Sequence, residues 1–186
     1  MSSTSAPFGF RAAYNPSGVI RPRKYTIAAS YGTAIYSGNP VMLEGTGGTI
    51  TNGGTTGDLL GIFAGCEYLD GQGKPVTQNY WPGAVSGATN IVAWVIDDYT
   101  TVFEVQNVGS VTQANIGEEA NTSTLSGNSA TFYATTTLAA PNGTTQSQWR
   151  IIGFGQQIDN VPGDAYTIVQ VTLAQSQIAF GNKVGV

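Results

Sequence analysis

Histidine is absent from this chain of 186 residues, and Cys66 is its single cysteine. Without histidine the chain can form neither a Ser-His nor a Cys-His nucleophile pair, and no imidazole is available to bind a metal ion. One cysteine excludes an intrachain disulfide and a zinc site built from thiolates. Cys66 lies in the apolar run of residues 59–69, which favours a small buried side chain over a reactive thiol.

Long apolar runs and nucleotide-binding motifs are missing as well. No stretch reaches the roughly 18 apolar residues that a membrane-spanning helix needs, and the first residues lack the apolar core of a signal peptide. The sequence contains no phosphate-binding loop and no dinucleotide fingerprint. We therefore expect a protein that is not an enzyme, has no cofactor, metal or membrane partner, and stays in a cytosol-like compartment.

Charged residues are scarce, at 10% of the chain, and they are unevenly distributed. Residues 1–24 contain four basic residues and no acidic one, which gives +4. Residues 25–186 contain three basic residues against all eleven acidic ones, which gives −8. Prolines and glycines interrupt residues 1–24, and no alternation indicates a strand there. The pattern predicts an extended basic N-terminal arm attached to an acidic body. We expect the arm to become ordered only when it binds another macromolecule.

Charge and aromatic content indicate the kind of partner that this arm binds. An acidic body opposes the approach of nucleic-acid phosphates, so direct binding to nucleic acid is disfavoured. An acidic protein surface fits better, because apolar anchors are interspersed with the basic residues. The alternative is a disordered terminus with incidental charges. The candidate contact residues are Phe8, Phe10, Arg11, Tyr14, Arg21, Arg23 and Lys24.

Residues 25–186 predict an all-β body, either a β-barrel or a β-sandwich. Short apolar or alternating segments follow one another, separated by turns rich in Gly, Asn and Asp. The run at residues 91–96 (IVAWVI) predicts a strand that is buried on both faces. In residues 102–106 (VFEVQ), apolar and polar side chains alternate as they do in a strand, and the same alternation in residues 169–173 (VQVTL) predicts one buried and one wet face there. If the body has two parts, the turn at residues 97–100 divides them.

One short helix is predicted over residues 111–116. Ser110 and Gln113 have the spacing of a capping box, and Gly117 can end the helix.

Two pairs of carboxylates and one acidic loop are the remaining candidates for a chemical site. Asp97-Asp98 and Glu118-Glu119 are neighbours in sequence, so their side chains do not face each other across a cleft as glycosidase carboxylates do. We expect a solvated turn for the first pair and a loop after the helix for the second. Residues 159–164 (DNVPGD) offer too few oxygen ligands for a calcium loop, and Asx-turn chemistry explains them. Trp81 is the tryptophan expected at the surface, where it could stack on a sugar ring.

Several segments resemble a pattern found in structural head proteins of tailed bacteriophages. The stronger matches are residues 149–155 (WRIIGFG), residues 158–171 (IDNVPGDAYTIVQV), and residues 102–106 running into 109–117 and Ala120. Residues 38–43 (GNPVML) and 57–62 (GDLLGI) match more loosely. The chain thus resembles the capsid decoration proteins, also called cement proteins, which bind the outside of an assembled icosahedral head.

The resemblance implies a structural virion protein without catalytic activity. It implies a β-barrel or β-sandwich body and a homotrimer at three-fold positions, bound to the major capsid protein. Such a protein is assembled in the cytoplasm of the bacterial host and ends on the capsid surface. An extended arm that reaches over neighbouring capsid subunits suits this role. The alternative, from another functional class, is a carbohydrate- or receptor-binding β module of a phage fibre or spike.

Overall fold

The computed structural model describes residues 2–45, 48–143 and 145–179, and almost all regular structure within them is β. This confirms the predicted all-β fold class. The strands are β1 (Arg11–Tyr14), β2 (Arg23–Tyr25), β3 (Ile35–Tyr36), β4 (Pro40–Leu43), β5 (Ile50–Asn52), β6 (Gly61–Leu69), β7 (Pro75–Gln78), β8 (Tyr80–Trp81), β9 (Thr89–Ile96), β10 (Val102–Gln106), β11 (Glu119–Ala120), β12 (Thr122–Thr124), β13 (Gly127–Asn128), β14 (Tyr133–Ala134), β15 (Thr137–Leu138), β16 (Trp149–Phe154) and β17 (Ile168–Leu173).

Two antiparallel sheets make up the body. The five-stranded sheet has the strand order β1-β10-β17-β16-β11. The six-stranded sheet has the order β2-β9-β6-β4-β5, with β7 paired to the other part of β6. The pairs β3–β8, β12–β15 and β13–β14 form small ribbons beside these sheets. Consecutive strands in sequence often lie in different sheets, so most of the structure is held by long-range contacts.

The longest strand, β6, shows how local sequence shapes the six-stranded sheet. Its hairpin to β7 turns at Asp70, whose carboxylate accepts hydrogen bonds of 2.9 Å from the backbone N–H groups of Gln72 and Lys74. Gly65 lies at a register shift against β9 and has a φ of 136°, a backbone conformation that L side chains rarely adopt. The hairpin at Asp70 and the bulge at Gly65 are therefore both set by the local sequence.

Each sheet covers its own apolar cluster. In the first cluster, behind the five-stranded sheet, Trp149 and Phe103 meet edge to face with ring centroids 5.9 Å apart. In the second cluster, Trp81 and Tyr68 meet in the same way at 5.5 Å. Ile62 of β6 belongs to the first cluster, so the six-stranded sheet also contributes to the core of its neighbour. Each fully buried side chain of this size stabilises the fold by roughly 1.5–3 kcal/mol.

The chain crosses from the six-stranded sheet to the five-stranded sheet between β9 and β10. This crossing, residues 97–101, contains the turn at which the sequence suggested a division. The N-terminal segment follows the same bend, because β2 pairs with β9 and β1 pairs with β10. Since β1 and β2 are the outermost strands of their sheets, residues 11–25 cover one edge of each sheet.

Residues 2–24 therefore differ from the separate arm that the sequence suggested. We expected no strand within the segment, and this expectation is wrong. β1 lies wholly inside this segment, and Phe10, just before it, is 3% exposed in the first apolar cluster. Nearer the start, the Gln106 side chain accepts from the N–H of Ala6 and donates to the carbonyl of Thr4. The edges of β9 and β10 offer backbone partners that the sequence pattern of the segment does not reveal.

The central strands differ in how well the sequence predicts their burial. In β9, Ile91, Ala93 and Val95 are buried, but Trp94 on the other face is only half-buried, so the strand does not have the two buried faces predicted. In β17, buried and half-buried side chains alternate over residues 169–173, as predicted. In β10 every residue is buried, including Glu104, although apolar and polar residues alternate in its sequence. Alternation in the sequence reports polarity, whereas burial depends on which elements pack on each face.

The predicted helix over residues 111–116 is reduced to one 3₁₀ turn, Gln113–Asn115. The capping contacts join Thr112 to Asn115 in place of Ser110 and Gln113: the backbone N–H and the hydroxyl of Thr112 both donate to Oδ1 of Asn115. Six residues are too few to offset the cost of nucleating a longer helix. Within the described ranges, no helix has the length and apolar character needed to cross a bilayer.

We predict that Phe10→Ala lowers the free energy of unfolding by about 3–5 kcal/mol, because it leaves a cavity in the core. The Phe10 ring stacks on Trp149 with centroids 4.3 Å apart. Phe8→Ala is the matched control: this ring is only half-buried, and its removal should cost less than about 1.5 kcal/mol. Urea unfolding followed by tryptophan fluorescence measures both variants. Equal losses would contradict the placement of Phe10 in the core.

Candidate functional site

The seven predicted contact residues lie in two separate places. One group lies on or beside β1 of the five-stranded sheet and consists of Phe8, Phe10, Arg11 and Tyr14. The other group lies on or beside β2 of the six-stranded sheet and consists of Arg21, Arg23 and Lys24. The structure therefore does not bring the seven together into one surface. Their environments also differ, and this decides which of them can reach a partner.

Near β1, the basic residue is engaged within the molecule. Arg11 forms an ion pair of 2.6 Å with Glu104, which is 8% exposed. The same carboxylate accepts hydrogen bonds from the side chains of Gln157 and Gln170. Burial alone would raise the pKa of Glu104, but the hydrogen bonds from these three donors hold it below its usual range. Arg11 also lies over the Phe8 ring, with its guanidinium carbon 4.9 Å from the ring centroid.

The aromatic residues of this half are divided between core and surface. The ring of Phe10 fills the protein's own core, so the expectation that it fills a groove in a partner is wrong. Phe8 is partly covered by Arg11, while Tyr14 is 48% exposed and open to contact. Hydrophobicity along the sequence does not distinguish a core residue from an interface anchor, because both have the same chemistry.

Residues 16–24 comprise the loop after β1 and the first two residues of β2, and we call this segment the basic loop. All of its residues are exposed except Ile20, which is half-buried. Its first end is fixed by Asn15, a buried side chain that donates hydrogen bonds of 2.9 Å to Asp98 and to Thr101. The side-chain carbonyl of Asn15 also accepts a hydrogen bond from the backbone N–H of Ser17. This anchor sets the direction in which the loop leaves the sheet.

The second end of the basic loop is fixed at β2. Tyr25 donates a hydrogen bond of 2.6 Å to Asp97, and Arg23 lies 3.4 Å from the same carboxylate oxygen. Burial and this hydrogen bond raise the pKa of Tyr25 well above its usual value, so the phenol stays protonated as a donor. Lys24 lies over the Trp94 ring, with its ammonium 4.9 Å from the ring centroid.

A polar recess of about 540 Å³ separates the basic loop from the bend between the sheets. Arg21 and Arg23 line one side of this recess, and Asp97 and Asp98 line the other. Hydrogen bonds from Thr100 hold the pKa of Asp98 below its usual range. The recess thus sets Arg23 against the Asp97 carboxylate and leaves Arg21, which has no ion pair among the described residues, available to an acidic group at the rim.

The paired carboxylates are positioned by structural contacts. Asp97 is 1% exposed, so the expectation of a fully solvated turn is wrong for this residue, although Asp98 is exposed. Glu119 is also largely buried, in β11, and forms an ion pair of 2.7 Å with Arg150. In the acidic loop, Asn160 donates to the backbone carbonyls of Gly155 and Ile168 and accepts from the N–H of Ile168, so it ties the loop to β16 and β17 in place of the local Asx turn predicted there. Among the described residues, no three potential ligands cluster as a metal site would require.

Two other predictions on single residues have opposite outcomes. Cys66 is 1% exposed, and burial raises the pKa of its thiol to about 12, so the prediction of an inert buried side chain is confirmed. Trp81 is fully buried, and its indole N–H donates to the carbonyl of Tyr31, so the prediction of surface exposure is wrong. The exposed aromatic residues lie elsewhere, at Tyr14, Tyr99, Phe132 and Tyr133. The adjacency of Phe132 and Tyr133 shortly after Gly127-Asn128 is the sequence signal that could have found this pair.

Comparison of the chain with protein-family models, with curated proteins and with solved structures finds no significant match.

We predict that Glu104→Gln lowers the free energy of unfolding by about 1–3 kcal/mol at pH 7, because a hydrogen-bonded ionised group is lost. Folding lowers the pKa of Glu104 below its value of about 4.3 in the unfolded chain. Its contribution to the free energy of unfolding is therefore fully present above that pKa and is lost as the pH falls through the pKa of the folded state. The difference from the wild type should therefore shrink below about pH 4. Denaturation at a series of pH values tests this, with the exposed Glu44→Gln as control. A difference that does not change with pH would contradict the ionised pairing.

Proposed function

We propose that this chain is a structural protein of a tailed-bacteriophage virion that binds the outer surface of the assembled capsid and stabilises it. Its partner is the major capsid protein, and assembly takes place in the cytoplasm of the bacterial host. The proposal contains no catalytic step and requires no cofactor. It is supported by the sequence resemblance, by the all-β body and, above all, by the geometry of the basic loop.

The basic loop is the observation that carries the proposal. It is exposed along almost its whole length, yet both of its ends are fixed by hydrogen bonds and ion pairs to buried residues. A loop fixed in this way loses less conformational entropy on binding than a free terminus does, so more of its contact energy remains as affinity. Val19, which is 49% exposed and precedes the cations of the loop, adds an apolar contact.

The charge of the loop indicates an acidic partner surface. Arg21 and Lys24 form no ion pair with any residue that the structure describes, so both remain available. The rest of the chain is strongly acidic, which disfavours a polyphosphate partner and favours carboxylates presented locally by a folded protein. Such contacts are exposed at their rims, so they contribute to orientation and association rate more than to affinity.

The segments that resemble phage head proteins have a different role from the loop. Residues 102–106, 149–154 and 168–171 are the neighbouring strands β10, β16 and β17 of the five-stranded sheet, and most of their apolar side chains are buried. The resemblance therefore concerns the scaffold that holds the bend. The contact surface itself is formed by residues outside these segments, which is consistent with a scaffold that presents different loops to different partners.

We predict that the double variant Arg21→Gln with Lys24→Gln binds capsids at least about tenfold more weakly at low salt, since two charge contacts are removed. The dependence of affinity on salt should also become flatter. Pelleting of the protein with heads that lack it measures both effects. Lys74→Gln, in the hairpin after β6, is the control and should bind like the wild type. Unchanged binding by the double variant would show that the basic loop is not the contact.

We also predict that the protein is a homotrimer and that it raises the temperature at which heads break. A protein that binds only the assembled shell stabilises it by mass action, in proportion to the logarithm of its concentration over Kd. Sedimentation equilibrium should give three times the mass of the chain, and heat-treated heads should release DNA at a higher temperature when decorated. A monomer would refute the trimer, and equal release temperatures would refute the stabilising role.

A further inference from the structure

Three aromatic rings form a nearly parallel stack at the surface, outside the basic loop. Tyr36 and Tyr80 have ring centroids 6.1 Å apart at an interplanar angle of 11°, and Tyr80 and Phe132 are 4.2 Å apart at 10°. Phe132 ends the stack and is 39% exposed, and the next residue, Tyr133, is 52% exposed. We call Tyr36, Tyr80 and Phe132 the aromatic platform. Nothing described so far gives this platform a role.

The inner end of the platform is rigidly supported. Tyr36 and Tyr80 are partners in the β3–β8 ribbon, so their spacing is set by the backbone. Gly127 lies directly against the Tyr36 ring, and an ideal Cβ at this position would come 2.0 Å from the ring. A glycine is therefore required there, because any side chain would displace the ring. A support of this kind holds the outer ring in place before a ligand arrives.

The outer end of the platform is held in an unfavourable backbone conformation. Phe132 has a φ of 62°, in the left-handed region that L residues other than Asn and Asp seldom adopt. The turn is held by Asn128, whose carbonyl accepts from the N–H of Phe132 at 2.7 Å and whose side chain accepts from the N–H of Ala130 at 2.8 Å. Strain of this sort at an exposed bulky residue points to a role for the ring that it presents.

A groove of about 580 Å³ is lined in part by this hairpin: the lining includes Tyr133, the residue next to Phe132, but none of the three platform rings. Apolar side chains, among them Phe8 and Ile62, line it together with the polar residues Asn128 and Thr131. The volume lies within the range of small-molecule sites. The only cation lining the groove is Arg11, and its guanidinium is already paired with a buried carboxylate.

We propose that the aromatic platform and this groove bind a neutral oligosaccharide. One face of a pyranose ring carries C–H groups that pack on an aromatic face, and its hydroxyls need donors and acceptors around the edge. The Phe132 ring offers the aromatic face. The Tyr133 hydroxyl and the amide and hydroxyl groups of the groove offer the hydrogen-bond donors and acceptors. A nucleotide is disfavoured, because its phosphates would meet a chain of net charge −4 without an unpaired cation at the groove. This inference does not rest on capsid binding.

The test uses the full-length protein with maltohexaose, cellohexaose and chitohexaose as probes, measured by saturation-transfer NMR and calorimetry. Wild type should bind at least one of them. Phe132→Gly removes the ring and suits the left-handed backbone, so it should stay folded and bind about tenfold more weakly or worse. Phe132→Trp should retain binding, because it keeps a stacking face. Tyr99→Ala, which removes an exposed aromatic residue from the bend between the sheets, should bind like the wild type.

Each remaining outcome overturns the proposal. Wild type that binds none of the three oligosaccharides at about 10 mM has no such site of useful affinity. Phe132→Gly that binds as well as the wild type shows that the platform is not the ligand surface. If Phe132→Gly changes the sedimentation coefficient, the platform is a contact between copies of the chain, and the sugar assignment fails. Capsid pelleting by Phe132→Gly should remain at the wild-type level, which separates this test from that of the basic loop.

Discussion

The junction between the two sheets depends on one buried carboxylate, that of Asp97. A carboxyl group with 1% of its surface exposed is costly to bury unless its oxygens have partners, because water no longer solvates it. Its partners, the Tyr25 hydroxyl and the Arg23 guanidinium, come from the N-terminal segment. The Asp97 carboxyl group of the bend therefore has these partners only when residues 23–25 are in place beside β9. The basic loop projects from this junction because both of its ends are held there.

The same arrangement occurs again in the neighbouring sheet and changes how the charge of the chain is understood. Arg11 pairs with Glu104 on β10, and Arg150 pairs with Glu119 on β11. Three of the four arginines are thus used to neutralise buried carboxylates. The contrast between a basic N-terminal segment and an acidic remainder is partly an internal pairing, and only Arg21 and Lys24 are left to act on a partner.

The fold class was predictable from the sequence, because turn residues and short apolar segments alternate along the whole chain. The bulge at Gly65 and the buried state of Cys66 were predictable for the same local reasons. The role of Phe10 was not, since its neighbour in the core, Trp149, is 139 positions away and no local pattern links them. Trp81 was misjudged because Pro82-Gly83 indicates a turn but does not say whether the turn is covered. The aromatic platform depends on three segments that meet only in the folded chain, so spacing alone could not predict it.

The pairing of the N-terminal segment with distant strands has a consequence during synthesis. Arg11 precedes its partner Glu104 by 93 residues, and Tyr25 precedes Asp97 by 72. At roughly 5–20 residues per second, a ribosome makes the segment about 4–20 seconds before its partner strands exist. During that interval Phe10 and the edges of both future sheets are exposed on the nascent chain. Chaperones that bind aromatic and basic stretches would find their target here, and release would coincide with the arrival of β9 and β10.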